Sequence, residues 1–297
     1  GAALALLLWS PNLLWQAQNG WPQAAMADSI REQDGAENRL TFLPLQLVLL
    51  SPLLVPLLVV GGVVLWRSAS WRAFTVAVPV VALLTLVSGG RPYYPCGLYL
   101  VLLAAGAGPT VAWASRGRVT VRRALVGAGI MLAVPVSAVV ALPILPPPVL
   151  ARSPVVAVND DPGHQIGWPA LLDAVEEGWA AVPSADRDRA VVYTGNYGEA
   201  GAIELYGPAR GLPAPWSAHN SWADWGPPPD SADGPVVVLV VGATPDGVAG
   251  SFRDCRVVTR VDNGVGLDNQ EQDAPVMLCA GTTRPWSELW PELRRYG

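Results

Sequence analysis

The chain has no lysine, two histidines, three cysteines and a charged fraction of only 14% across 297 residues. A soluble domain of this length is usually nearer a quarter charged, so an ordinary water-soluble globule is a poor description. Two histidines rule out a histidine-rich metal centre, and no metal ligand set is legible. The 19 basic residues are all arginine and are unevenly spread. Residues 1–151 hold nine arginines and four acids, a balance of +5, whereas residues 152–297 hold ten arginines and twenty acids, a balance of −10. Two parts of opposite charge imply two environments. The acidic, soluble-looking half disfavours nucleic acid as a partner, because that partner needs a basic face.

The apolar content is concentrated in the first part. Stretches 40–66, 73–90, 92–115 and 124–151 contain no charged residue, and mean hydropathy over the chain is +0.32. About 20 apolar residues cross a bilayer as a helix, so all four qualify, the second only just. The spans are expected at about 44–66, 73–90, 95–115 and 124–146, in a transmembrane region covering 1–151. Pro52, Pro56, Pro79 and Pro135 lie within them and predict kinks, which a bilayer tolerates where neighbouring groups satisfy the freed carbonyls. Residues 1–9 are apolar but too short to span, without an initiator Met or a basic leader. They read as the last turns of a helix, so the chain is expected to be the C-terminal part of a longer protein.

Arginine placement predicts orientation. Arg67 and Arg72 flank one short loop, and Arg116, Arg118, Arg122 and Arg123 crowd another. Short basic loops stay cytoplasmic. Segment 11–39, the 89–94 turn and residues 152–297 then face outward. Trp9, Trp66, Trp71 and Trp113 sit at span ends, where interfacial anchors are expected.

After Pro146-Pro147-Pro148 the pattern becomes that of a small extracytoplasmic α/β domain. Strands are predicted at 190–194, 235–241, 256–261 and 276–279, with helices at 199–205 and 286–296. Cys255 and Cys279 lie at or beside strands. Two readings stand, a disulfide permitted by an oxidising compartment or two buried thiols. Gly195-Asn196-Tyr197-Gly198-Glu199-Ala200-Gly201 follows a strand and opens a helix. Its G-x-x-G-x-x-G spacing is not the dinucleotide fingerprint, and Glu199 would repel phosphate, so a tight strand-to-helix turn is the better explanation.

Three segments could contact a ligand. The turn Gly89-Gly90-Arg91-Pro92-Tyr93-Tyr94 combines a forked, permanently charged donor with two phenols and two permissive glycines. It suits a lipid phosphate, and it equally suits an interfacial anchor snorkelling to headgroups. Segment 11–39, with Trp15, Gln16 and Asn19, sets amides and indoles beside a membrane, as a sugar or acceptor contact or as an amphipathic interfacial helix with loop ends. Segment 217–225, with His219, Asn220 and Trp222, reads foremost as a packed loop, then as a ligand or membrane-surface contact. A triad there lacks a third partner.

PNLLWQ…NGWP, ENRLTFLPLQL, GGRPYY, TGNYGEAGAIELYGP and the terminal WPELRRYG, taken in order, resemble the polytopic glycosyltransferase family 39. That family includes the protein O-mannosyltransferases and the aminoarabinose transferase of lipid A. The resemblance covers most of the chain. It implies a polytopic α-helical membrane domain of the GT-C architecture followed by the small α/β domain. It also implies transfer of a sugar from a polyprenyl-phosphate carrier to a protein, lipid or glycan acceptor outside the cell. Arg91, Tyr93 and Tyr94 map onto the family's turn near the carrier phosphate, with Arg in place of the usual Lys. The family's catalytic carboxylates lie in an earlier outer loop with no counterpart here, and Glu37 belongs to a later segment. The implied catalytic residues are therefore expected upstream, and this chain alone is expected to be inactive. The alternative is a membrane-anchored extracytoplasmic binding or sensing protein without catalysis. An ion-coupled transporter is disfavoured, since the span interiors hold no ionisable group.

Overall fold

A computed structural model describes residues 2–296. The chain divides into two compact units, the first ending at Val139 and the second running from Val140 to Tyr296.

The first unit is all helical. Helices α1 (Ala2–Gln18), α2 (Pro22–Gln33), α3 (Gly35–Leu50), α4 (Val55–Arg67), α5 (Arg72–Ser88), α6 (Cys96–Ala114) and α7 (Val119–Ala141) follow one another with short joints. Segment 11–39 is therefore almost wholly helix, not an interfacial helix with loop ends. α1 runs through Pro11 to Gln18, and a second joint at Asp34 separates α2 from α3. The physical reason lies in the joints. Trp21 takes the left-handed conformation (φ 58°) before Pro22, which starts α2 at the position a missing N–H costs least.

Two helices, α6 and α7, are long and apolar enough to cross a membrane. The other two expected spans differ. The 44–66 span is broken between Leu50 and Val55 and bent by 93°, with Ser51 at φ 51° and prolines 52 and 56 removing donors from the turn. The 73–90 span becomes α5, apolar but only 17 residues long. Pro79, Pro109 and Pro135 are carried inside helices that continue past them.

Leucines and valines lie exposed all round these helices. On α7 only Ala133 is buried, while Met131, Leu132 and Val136 are exposed. Such surfaces suit lipid and not water. The tightest packing joins α4 to α6. A side chain at Gly61 would collide with the Leu102 carbonyl, and one at Gly106 with the Leu57 carbonyl. Small residues thus let two backbones touch, as they do between helices in lipid. Leu58, Leu65, Tyr99 and Leu102 close around that contact.

The second unit begins earlier than the expected boundary at 151/152. Asn159 Nδ2 donates to the Val140 carbonyl (3.0 Å), and Leu150 and Val155 are buried, so the proline run belongs with the α/β part. The one-turn helices α8 (Pro147–Leu150) and α9 (Val155–Val158) lead to α10 (Trp168–Ala180), which the sequence reading did not anticipate. Then follow β1 (Val191–Thr194), α11 (Tyr197–Tyr206), β2 (Pro215–Ser217), β3 (Val236–Leu239), α12 (Pro245–Val248), β4 (Phe252–Arg253), β5 (Arg256–Arg260), β6 (Pro275–Cys279), β7 (Gly281–Thr282) and α13 (Trp286–Leu293).

The main sheet runs β2-β1-β3-β6-β5, with β1, β2 and β3 mutually parallel and β6 antiparallel to both β3 and β5. β1 and β3 are buried at every position, as expected for strands covered on both faces. Their alternating side chains feed two cores. Val192, Val237 and Leu239 meet Leu171 and Val175 of α10 and Ile203 of α11. Val191, Tyr193, Val236 and Val238 meet Trp286 and Trp290 of α13. Cys255 and Cys279 form a disulfide, and Cys96 is free.

Replacing Gly61 or Gly106 by valine should push α4 and α6 apart. Overpacking of this kind costs about 1–3 kcal/mol or more. The expected outcome is a lower unfolding temperature in detergent, with Gly108→Ala, whose added carbon meets nothing, as the silent control.

Candidate functional site

The first candidate site is the 89–94 turn. α5 ends on Gly89 in the left-handed conformation (φ 73°), and Gly90 N–H returns to the Thr85 carbonyl at 3.0 Å. Gly89 is required twice over, because an added carbon would also press on the Gly35 backbone and the Arg39 guanidinium. The polar side chains of α3 then hold the turn by its carbonyls. Asn38 Nδ2 donates to Gly89 O (2.9 Å), Arg39 to Val87 O (3.1 Å) and Gln46 Nε2 to Pro92 O (2.7 Å). Tyr99 of α6 donates its hydroxyl to Gln46 Oε1 (2.5 Å), which fixes the amide's orientation. Each carbonyl so engaged would otherwise need water.

Arg91 projects from this braced loop and pairs with Asp34 at 2.8 Å, both side chains being about a third or more exposed. Tyr93 and Tyr94 are exposed and stack edge to face at 5.3 Å. Tyr99 also lines an open, mainly apolar recess of about 260 Å³ between α4, α5 and α6, with Leu58, Thr75, Val78 and Leu102. The turn itself offers a guanidinium and two phenols.

Asp34, Gln46 and Tyr99 were not singled out from the sequence, and Asn38 and Arg39 entered only as part of the amide-rich segment 11–39. A findable signal existed for one of them, since Gln46 is an uncommitted amide inside a charge-free stretch. Trp15, Gln16 and Asn19 are in the same unit but serve their own turn. Gln16 is buried, accepting from Gln23 N on its side chain (3.1 Å) and from Trp21 N on its carbonyl (2.8 Å), and Asn19 Nδ2 donates to the Trp15 carbonyl (2.8 Å). Trp15 itself is largely exposed.

His219, Asn220 and Trp222 belong to the second unit, at the carboxyl end of β2. His219 is buried. Its Nδ1 accepts from Tyr197 N (3.3 Å), which places the proton of a neutral ring on Nε2, and its ring lies 5.1 Å from that of Tyr197. The loop is laced to the chain's end. Asn220 N donates to Arg295 O, Arg295 N to Ala218 O, Trp290 Nε1 to Ala223 O, and Arg294 pairs with Asp224. Trp222 packs on Trp225 at 4.6 Å. This lacing ties the segment to the C-terminal residues.

The 195–201 glycine segment forms the strand-to-helix turn, and Glu199 has a role there that its phosphate-repelling charge did not suggest. Asn196 and Glu199 make a reciprocal capping box at the start of α11, with Glu199 Oε2 accepting from Asn196 N at 3.0 Å. Glu199 is fully buried, and its Oε1 finds no partner. Burial pushes its carboxyl up to about 8, helped by the nearby Glu271 and opposed by the backbone bonds and Arg295. Glu271 is also raised, chiefly by burial. Its Oε2 and His164 Nδ1 are the other unpartnered buried side-chain atoms described in this unit. No group of described residues has the makeup of a metal site.

No family model, curated protein or solved structure matches the chain.

The folded state keeps a proton on Glu199 that an unfolded glutamate loses near pH 4.5. The stability tied to that proton is therefore complete below about 4.5 and fades as pH rises to about 8. The slope is at most about 1.4 kcal/mol per pH unit. Hydrogen exchange of the β1 amides should report weaker protection across that window in the native protein and a flatter profile in Glu199→Gln.

Proposed function

We propose that this chain is part of a multi-pass membrane glycosyltransferase of GT-C type, transferring a sugar from a polyprenyl-phosphate carrier to an extracytoplasmic protein, lipid or glycan acceptor. The observation that carries the reading is the meeting of two segments on which the family resemblance rests. ENRLTFLPLQL supplies Asn38 and Gln46, which grip the GGRPYY turn at the Gly89 and Pro92 carbonyls, and Arg39, which holds the Val87 carbonyl at the end of α5 just before it. A rim whose main chain is fixed on both sides of Arg91 supports the preorganisation that charge stabilisation demands.

In this reading the acceptor oxygen attacks the anomeric carbon, the bond from that carbon to the phosphate oxygen breaks, and the lipid phosphate leaves with the electron pair. Arg91 takes up the charge developing on the leaving phosphate, with Tyr93 and Tyr94 as further donors. The mainly apolar recess that Tyr99 lines offers the isoprenoid chain a place in lipid-like surroundings. No residue of this chain is assigned as the base that deprotonates the acceptor.

The same reading places the membrane. The arginine-rich joint between α6 and α7 lies inside, so α7 delivers the α/β unit outside. The disulfide between Cys255 and Cys279 suits an oxidising exterior.

In the intact protein, Arg91→Ala should lower transfer from a polyprenyl-phosphate sugar by roughly a hundredfold or more, with Arg91→Lys retaining a substantial share. Transfer that is unchanged in Arg91→Ala removes this residue, and the reading with it.

A further inference from the structure

The ion pair between Arg91 and Asp34 joins two places far apart in the chain, the exposed turn and the joint between α2 and α3. Asp34 sits where a helix-capping residue sits, directly before Gly35 of α3. Its side chain nevertheless makes no capping bond to that helix. Its backbone already serves the joint, since Asp34 N–H donates to Ile30 O (2.9 Å) and Asn38 N–H to Asp34 O (2.8 Å). The carboxylate is thus left to Arg91.

The turn does not depend on this pair for its shape. Its carbonyls at 89 and 92 are held by Asn38 and Gln46, and the end of α5 just before it is held at the Val87 carbonyl by Arg39. Opening the pair would leave the Arg91 backbone where it is. An exposed pair of this kind also contributes little to stability, so it exchanges readily for a better partner. A phosphate group is that partner, because its oxygens present the same forked acceptor geometry as a carboxylate with more charge.

We propose that Asp34 is an internal counter-ion that occupies the anion-binding face of Arg91 and is displaced when a phosphate group binds there. This deepens, and rests on, the carrier-binding reading of the turn. Asp34 is then a residue that sets anion affinity and keeps the guanidinium from pairing indiscriminately with other anions. It takes no part in the bond changes.

The test is binding, not turnover. The full chain in phosphatidylcholine nanodiscs is titrated with a polyprenyl phosphate and, separately, with inorganic phosphate. Asp34→Asn keeps the size of the side chain and the backbone bonds of the joint, and equal unfolding temperatures confirm that it folds. The expected result is a Kd for polyprenyl phosphate lowered roughly two- to fivefold in Asp34→Asn. That gain should vanish when Arg91→Ala is also present. A gain with the lipid phosphate alone assigns the site to a carrier headgroup, and an equal gain with inorganic phosphate assigns it to phosphate anions at large. Both support displacement. Unchanged or weaker binding in Asp34→Asn, a gain that persists without Arg91, or no binding by either protein overturns it. A tightened Kd in a protein that transfers no sugar leaves this inference standing and removes only the transferase reading. Active transfer with no Asp34 effect does the reverse.

Discussion

The grip of α3 on the end of α5 and the turn after it is the constraint on which the arrangement of the first unit depends. Three side chains, Asn38, Arg39 and Gln46, each donate to a different main-chain carbonyl some 46 to 51 residues away in sequence. In apolar surroundings an unbonded carbonyl is costly, so these bonds are effectively obligatory once the helices meet. They also explain why a loop with two glycines can present a charged side chain at a fixed place. Flexibility that Gly89 and Gly90 would bring to an open loop is removed by partners on a neighbouring helix. The bond from Tyr99 to Gln46 extends the constraint into α6, whose own position is set by backbone contact with α4 at Gly61 and Gly106.

The second unit uses polar burial differently. Its sheet is clad by α10 and α11 on one face and α13 on the other, and it would be stable as an apolar sandwich of layers. Yet Glu199, Glu271 and His164 each leave an atom without a bond inside it. For Glu199 the compensation is local, because one oxygen completes the capping box while the proton stays on the group. Neutral acid is the cheaper form of a buried carboxyl, and the unit carries it as a built-in sensitivity to alkali.

Part of this architecture could be read from residue order. The change of character after the proline run, the four short β-rich segments and the strand-to-helix turn at 195–201 are local patterns, and they appear close to where the pattern puts them. The bend between α3 and α4 was also foreshadowed by Pro52 and Pro56, although a kink and a 93° turn differ greatly in consequence. What stayed hidden was of two kinds. Helices α2 and α10 carry enough polar residues to look like connecting chain: α10 docks through one buried stripe that includes Leu171, Leu172 and Val175, leaving the remainder of its surface free to vary, and α2 buries no residue fully. The bracing of Arg91 was hidden because sequence separation conceals contact. Asp34 and Gln46 look like ordinary polar residues until the fold sets one beside a guanidinium and the other under a proline carbonyl. Near 15–19 the fold adds local bonding that the order of residues does not show: the Gln16 side-chain oxygen accepts from Gln23 N and the Asn19 amide donates to the Trp15 carbonyl.

The cystine has an implication for the sheet's outermost ribbon. β5 is an end member of the five, and a ribbon in that position exposes main-chain groups that could recruit a strand from another molecule. Cys255 immediately precedes it and is tied covalently to the last residue of β6, while Arg256 and Arg260 bracket it with like charge. Peeling, the first move in strand exchange between copies, is therefore blocked at one terminus, and docking of an identical ribbon is opposed by repulsion along its length. At this edge of the sheet, the unit is protected from pairing with its own kind.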